Sequence, residues 1–276
     1  MTTDARNMYL DLLKKTLSFL LWAEPPRPVD IFNFQNRPFK RFVLGLASDV
    51  LKPTRFFLVE RKDFSREQRE SGEIWPIYAE TMIGLKRLDN LQMCIETVLR
   101  EHIKGDFIET GVWRGGACIF MRAVLAANFI EDRKVYVADS FEGLPRPDPE
   151  KYPVDFGDTH HQNAYLAVSL EEVQENFRKY GLLDDKVVFL KGWFKDTLPT
   201  APITQLAVLR LDGDMYESTM DGLVNMYPKL SKGGFCIVDD YALETCHRAI
   251  NDFRASNGIN ADIHWIDSAS VYWRKE

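Results

Sequence analysis

The chain has little of what marks disulfide, zinc-thiolate or nucleic-acid-binding proteins. Its 276 residues include four cysteines and five histidines. Cys94, Cys118, Cys236 and Cys246 form no CxxC pair, which excludes the common zinc and redox spacings. Cys118 and Cys236 lie in apolar runs, so the thiols read as buried and free, in a reducing, cytoplasmic setting. Lysine and arginine number 35 against 41 acids, a net charge of −6 with no long basic run. Binding a phosphate backbone wants a basic face, so a nucleic-acid partner is not expected. No apolar run reaches the roughly 20 residues of a transmembrane helix, and no membrane partner is expected. The best candidate, residues 16–23, follows Lys14 and Lys15 as a signal-peptide core would. However, Tyr9, Leu10, Leu13, Leu17, Leu20 and Leu21 recur at helical spacing. That predicts an amphipathic helix packed on protein.

Hydrophobic residues make up 45% of the chain, enough for a sizeable core. The length suits one large domain with an N-terminal extension. Residues 1–75 read as that extension: the first helix, a break at Pro25-Pro26-Arg27-Pro28, and an aromatic and basic stretch. The stretch holds Phe32, Phe34, Phe39, Arg41, Phe42, Phe56 and Phe57 and carries few regular signals. It reads as a segment packed on the main domain or on a second subunit, or as a substrate cover, and a homodimer or larger homo-oligomer is expected. Residues 61–73 are charged and expected to be exposed.

From residue 76 helix and strand alternate. A helix is expected over 81–100, with Met82, Leu85, Leu88, Leu91, Ile95 and Leu99 on one side. Strands are expected at 106–112, 135–139, 186–190, 206–212, 234–239, 262–266 and 271–273, with helices between the first five. This predicts an α/β fold, a Rossmann-like doubly wound, mostly parallel seven-stranded sheet covered on both faces. The last two strands follow too closely for a helix and read as a terminal hairpin with one antiparallel strand.

The most informative segment is Phe107-Ile108-Glu109-Thr110-Gly111-Val112-Trp113-Arg114-Gly115-Gly116. It reads as a strand, a glycine turn and a helix start, where backbone N–H groups approach a ligand closely. About twenty residues on, the strand Val135-Tyr136-Val137-Ala138 ends in Asp139, placed to take both hydroxyls of a ribose. Together they indicate a nucleoside-containing cofactor. The glycines run Gly-x-x-x-Gly-Gly rather than Gly-x-Gly-x-x-Gly, which argues against a dinucleotide. Glu109 at the strand tip would repel a pyrophosphate and suits a cationic amino-acid end. S-adenosylmethionine, with its ammonium and sulfonium, fits that pattern better than NAD.

Acids also collect at two later strand tips, Asp212 after Leu206-Ala207-Val208-Leu209-Arg210-Leu211 and Asp239-Asp240 after Phe235-Cys236-Ile237-Val238. Crowded carboxylates repel unless a cation joins them, and oxygen ligands alone point to Mg²⁺ rather than zinc. Solvated loop acids or helix caps are the other reading. A divalent cation lowers the pKa of a bound hydroxyl, and a nearby carboxylate takes its proton. The loop from Pro145 to Tyr165, with His160 and His161, reads as a lid or as a plain surface loop. Neither histidine has metal spacing and neither is assigned catalysis; His247 reads as structural or substrate-adjacent.

Several segments carry a family resemblance. They are Tyr9-Leu10-Asp11-Leu12-Leu13-Lys14-Lys15-Thr16-Leu17, Thr81-Met82-Ile83-Gly84-Leu85-Lys86-Arg87-Leu88-Asp89-Asn90-Leu91, Glu109 to Gly116, Asp139-Ser140-Phe141-Glu142-Gly143-Leu144-Pro145, and Leu211-Asp212-Gly213-Asp214-Met215-Tyr216-Glu217-Ser218-Thr219. The chain resembles the macrocin O-methyltransferases, antibiotic-tailoring enzymes of the TylF type. The resemblance covers most of residues 76–276, while no family motif is identified within residues 24–60. It implies a class I methyltransferase domain over 76–276, S-adenosylmethionine, Mg²⁺, and a small-molecule acceptor. Family acceptors are usually sugar hydroxyls on macrolides, sometimes phenols on other natural products. Carried over by motif, Asp212, Asp239 and Asp240 would bind the metal and Asp212 would be the base. Thr81, Met82, Glu109 and Gly111 would face the methionine end, with Val112, Trp113, Arg114 and Gly115 completing the turn. Asp139 would bind ribose beside Ser140 and Phe141. Gly192, Trp193 and Phe194 would lie near adenine, although the two aromatics read equally as core. A nicotinamide-dependent oxidoreductase and a non-catalytic scaffold are the competing readings.

Overall fold

A computed structural model describes residues 3–29, 38–51, 54, 56–61 and 63–276. In chain order the elements are α1 (Thr3–Leu17), β1 (Arg27–Pro28), α2 (Pro38–Leu51), β2 (Val59–Glu60), α3 (Arg66–Glu70) and α4 (Gly84–Arg100). Next come β3 (Asp106–Thr110), α5 (Gly116–Ala127), β4 (Val135–Asp139), α6 (Leu170–Lys179), β5 (Val187–Lys191) and α7 (Phe194–Thr197). The chain closes with β6 (Leu206–Leu211), α8 (Tyr216–Met226), β7 (Leu230–Val238), α9 (Glu244–Ser256), β8 (His264–Trp265) and β9 (Val271–Arg274).

Seven strands form one sheet in the order β5-β4-β3-β6-β7-β9-β8. The first five are parallel to their neighbours, and β9 runs antiparallel to both β7 and β8. Helical crossovers between parallel strands cover both faces, so the central strands are apolar on both sides. Phe107, Val135, Val137, Val208, Phe235 and Ile237 face a core shared with α1, α4, α5 and α6. Their alternates Ile108, Tyr136, Leu209, Cys236 and Val238 face a second core shared with α8 and α9. The four cysteines are buried and free.

The expected first helix forms, and Leu10, Leu13 and Leu17 enter the first core. It stops at Leu17: Phe19 takes a left-handed φ of 55°, and Leu21 is left 45% exposed. The helix expected from residue 81 starts at Gly84, whose φ is +73°. A Cβ there would lie 2.4 Å from the Gly72 nitrogen. The tight contact with the 70–72 turn sets the helix start and leaves Thr81 and Met82 in a loop. The aromatic stretch holds more regular structure than its sequence suggested, since α2 runs through it and β1 pairs with β2. Phe32 and Phe34 lie outside the described residues. Among the described residues no helix is long and apolar enough to cross a membrane.

Candidate active site

From β3 the chain steps outward to β4 and β5, then crosses back from β5 to β6 on the other side of β3. A crevice therefore opens beyond the carboxyl ends of these strands, where α/β sheets bind ligands. Gly111, at the tip of β3, has φ +87°, and a Cβ on it would sit 1.7 Å from the Asp212 carbonyl oxygen. Only glycine lets the two adjacent strand tips approach so closely. The Asp212 N–H in turn donates to the Thr110 carbonyl.

One side of the cleft is built on Asp139. Its Oδ2 accepts from the Val112 N–H at 2.7 Å and its Oδ1 from the Phe141 N–H at 2.7 Å. The carboxylate thereby locks the glycine turn to the tip of β4. The Gly192 N–H donates to the Asp139 carbonyl and ties in the turn after β5. Thr81, Met82, Glu109, Gly111, Val112, Trp113, Asp139, Ser140, Trp193 and Phe194 all line the cleft. The other four expected residues stand behind it. Arg114 donates to the Ile77 and Ala79 carbonyls, Gly115 starts α5 with φ +84°, and Phe141 packs into the first core. Gly192 supports the wall through its backbone. Trp193 and Phe194 are half-buried, and Phe194 also packs on the second core.

The opposite side holds the acids. One oxygen each of Asp212, Asp239 and Asp240 lies within 4.8 Å of the others. Arg210 is fully buried among them. It donates from Nη1 to Glu109 and, at 2.7 Å, to Asp212 Oδ2, and from Nη2 to Asp239 Oδ1. Glu109 and Arg210 are register partners on β3 and β6, so their side chains meet on one face. Arg87 of α4 holds Asp239 Oδ2 and clasps Asp267. Burial raises the Asp212 carboxyl, Asp239 raises it further, and Arg210 opposes both. Burial drives Asp240 well above the carboxylate range, helped by Asp214, Asp212 and Asp239. Glu109 is pushed up to about 7 by burial. Its oxygens are already engaged, by Arg210 and by the Cys118 thiol at 2.8 Å.

This donor set fits a hard divalent cation. It offers oxygen ligands only, from mutually repelling carboxylates that converge on one volume. Asp239 enters with both oxygens bonded to arginines, so Asp212 and Asp240 carry the freer lone pairs.

The sequence alone assigns no role to Arg210, Arg87, Asp214 or His160. Arg210 had a visible signal, a cation inside an otherwise apolar strand. Arg87, Asp214 and His160 had none beyond their residue types. All but Arg210 line the cleft.

Comparison with known proteins yields consistent matches. Residues 6–275 match the macrocin-O-methyltransferase (TylF) family. The chain is 49% identical to an 8-demethyl-8-(2,3-dimethoxy-alpha-L-rhamnosyl)-tetracenomycin-C 4'-O-methyltransferase of Streptomyces olivaceus, over 99% of this chain and 95% of that protein. It is 47% identical to the mycinamicin III 3''-O-methyltransferase of Micromonospora griseorubida, over 97% and 96%. Among solved structures it is similar to the O-methyltransferase NovP, with a TM-score of 0.83, 44% identity, and 98% and 99% of the two chains covered.

Proposed function

The chain belongs to the macrocin O-methyltransferase family, and from that premise we propose that its cleft transfers a methyl group from S-adenosylmethionine to a sugar hydroxyl of a glycosylated natural product, with Mg²⁺ bound at the acid cluster. Membership sets aside the nicotinamide-dependent oxidoreductase and the scaffold. The supporting observation is the backbone contact between the tips of the parallel neighbours β3 and β6: the glycine turn and the acid cluster open into one cleft. Residues 76–276 then form the methyltransferase domain. Residues 1–75 form its extension, with α1 anchored in the domain's core. We place the enzyme in the cytoplasm, where buried free thiols persist.

Asp139 would hold the ribose, beside Ser140. Thr81, Met82, Glu109 and Gly111 would face the methionine end, with Val112 and Trp113 in the turn. Trp193 and Phe194 would flank the adenine. Arg114, Gly115, Phe141 and Gly192 serve the same site by fixing its backbone. Asp212, Asp239 and Asp240 would hold Mg²⁺, which when bound supplies charge that makes a hydroxyl proton easier to remove. Asp212 acts as the base. Arg210 holds its Oδ2, and the neighbouring acid raises its proton affinity. Methyl transfer is an in-line displacement, so holding donor and hydroxyl in line provides much of the acceleration.

Exposed apolar side chains on α2 and after it, among them Phe39, Phe42, Leu46, Phe56 and Phe57, would meet a second copy of the chain.

The test combines chelation with one substitution. EDTA should abolish methylation of glycoside acceptors, and Mg²⁺ should restore it. Asp212→Asn should lose about 10²–10⁴-fold in kcat, the range for a lost general base, and excess Mg²⁺ should not recover it. Full activity after exhaustive chelation would reject the metal. Complete rescue of Asp212→Asn by Mg²⁺ would keep the site and remove Asp212 as base. Methylation of catechols but no glycoside would replace the acceptor class.

A further inference from the structure

We propose that His160, held by Asp158, binds an acceptor hydroxyl next to the one that is methylated and so helps choose the sugar. This rests on the methyltransferase reading above. The His160 N–H donates to Asp158 Oδ1 at 2.8 Å, and its Nδ1 meets Asp158 Oδ2 at 2.8 Å. An ionised carboxylate only accepts, so Nδ1 carries the proton toward Asp158. Nε2, on the opposite edge of the ring, has no hydrogen bond among the described residues. His160 lines the same cleft as Asp212, Asp214 and Asp240. A partly exposed imidazole with one nitrogen fixed and the other open is a hydrogen-bonding group for a ligand.

The imidazole stands on a built wall. Asp155 is fully buried, and its carboxylate accepts from the Tyr216 N–H at 2.7 Å and the Glu217 N–H at 3.1 Å. It thus caps the start of α8, two residues beyond Asp214. The Asp158 N–H donates to the Asp155 carbonyl at 3.2 Å. Farther along, the Tyr165 hydroxyl donates to the Pro76 carbonyl, and the Trp113 indole N–H to the Tyr165 carbonyl at 3.0 Å. Both ends of the segment are therefore fastened, one to the acid side and one to the glycine turn. A binding group on such a support keeps its direction, which a specificity contact needs. Sugars offer neighbouring hydroxyls, and a site that hydrogen-bonds one of them rejects an analogue lacking it.

The experiment compares wild type with His160→Ala, His160→Gln and Asp158→Asn. It uses a glycoside methylated by the wild type and the same glycoside deoxygenated beside the methylated position. With the full glycoside, His160→Ala should raise KM about tenfold, as one lost hydrogen bond would, with kcat nearly kept. His160→Gln should recover part of the loss, and Asp158→Asn should fall between. With the deoxy glycoside, wild type and His160→Ala should have the same KM. S-adenosylhomocysteine binding, followed by calorimetry, should be equal in all four proteins. An unchanged KM for His160→Ala, or an equal loss on both glycosides, would overturn the inference while leaving the methyltransferase reading intact. A wild type that methylates no glycoside would overturn that reading, and this inference with it.

Discussion

At the scale of single residues, Asp139 carries two duties. It fixes the glycine turn through two backbone N–H groups, and in the function proposed above it would also hold the ribose. Asp139→Ala should lower affinity for S-adenosylhomocysteine by about 1.5–3 kcal/mol, the worth of hydrogen bonds to a charged group. Asp139→Asn, which keeps an accepting oxygen for the turn, should lose less. Calorimetry on both variants checks this, and unchanged affinity in Asp139→Ala would remove the residue from the donor site. Asp221 also lines the cleft, and its carboxyl is pushed up to about 6, by burial first and then by Glu217. A carboxyl that titrates near 4 when unfolded and higher when folded costs stability once ionised. The cost is absent below about pH 4, grows through the window between the two pKa values, and is full above about pH 6. Asp221→Asn should therefore raise the thermal midpoint at pH 8 and leave it unchanged at pH 4. An equal shift at both values would show that titration is not the cause.

At the scale of elements, what the sequence disclosed depended on how much of the pattern was local. The central strands were legible because both faces are buried, which leaves uninterrupted apolar runs such as Leu206–Leu209. The glycine turn and the acid tips were legible because each lies at the end of such a run. Helix α2 was missed although Phe39, Phe42, Val43, Leu46 and Val50 recur at helical spacing; the stripe they form is exposed rather than buried in the core. The true start of α4 was hidden as well, since the contact of Gly84 with Gly72 is tertiary. Likewise, no local pattern could bring Arg87 of α4 onto Asp239 at the tip of β7. Helix α1 offers a direct test of what counts as core. Leu10 is fully buried there, so Leu10→Ala should cost about 2–5 kcal/mol. Because α1 packs on α4 and α5, the whole domain should melt earlier in one transition. An unchanged main transition would make α1 a separate appendage.

At the scale of the molecule, charge and exposed apolar surface are unevenly spread. Glu109, Asp212, Asp239, Asp240 and Asp267 converge around the buried Arg210 and Arg87, a dense charge cluster at one end of the sheet. Exposed aromatics gather instead on and after α2. Light scattering at micromolar concentration should give at least a dimer, and deleting residues 1–60 should reduce assembly or solubility. A monomer would end the proposed pairing.

The backbone contact at Gly111 has a consequence for how such enzymes diversify. Donor turn and acid tip touch through backbone, with no side chain between them to trade. Drift at that junction has no small steps available, because the smallest added carbon already collides. Variation in which molecule is methylated must then be sought elsewhere, in segments such as 145–165 that line the same cleft without forming the junction. Two relatives could diverge far in their choice of acceptor while the spacing between donor and acid stayed the same.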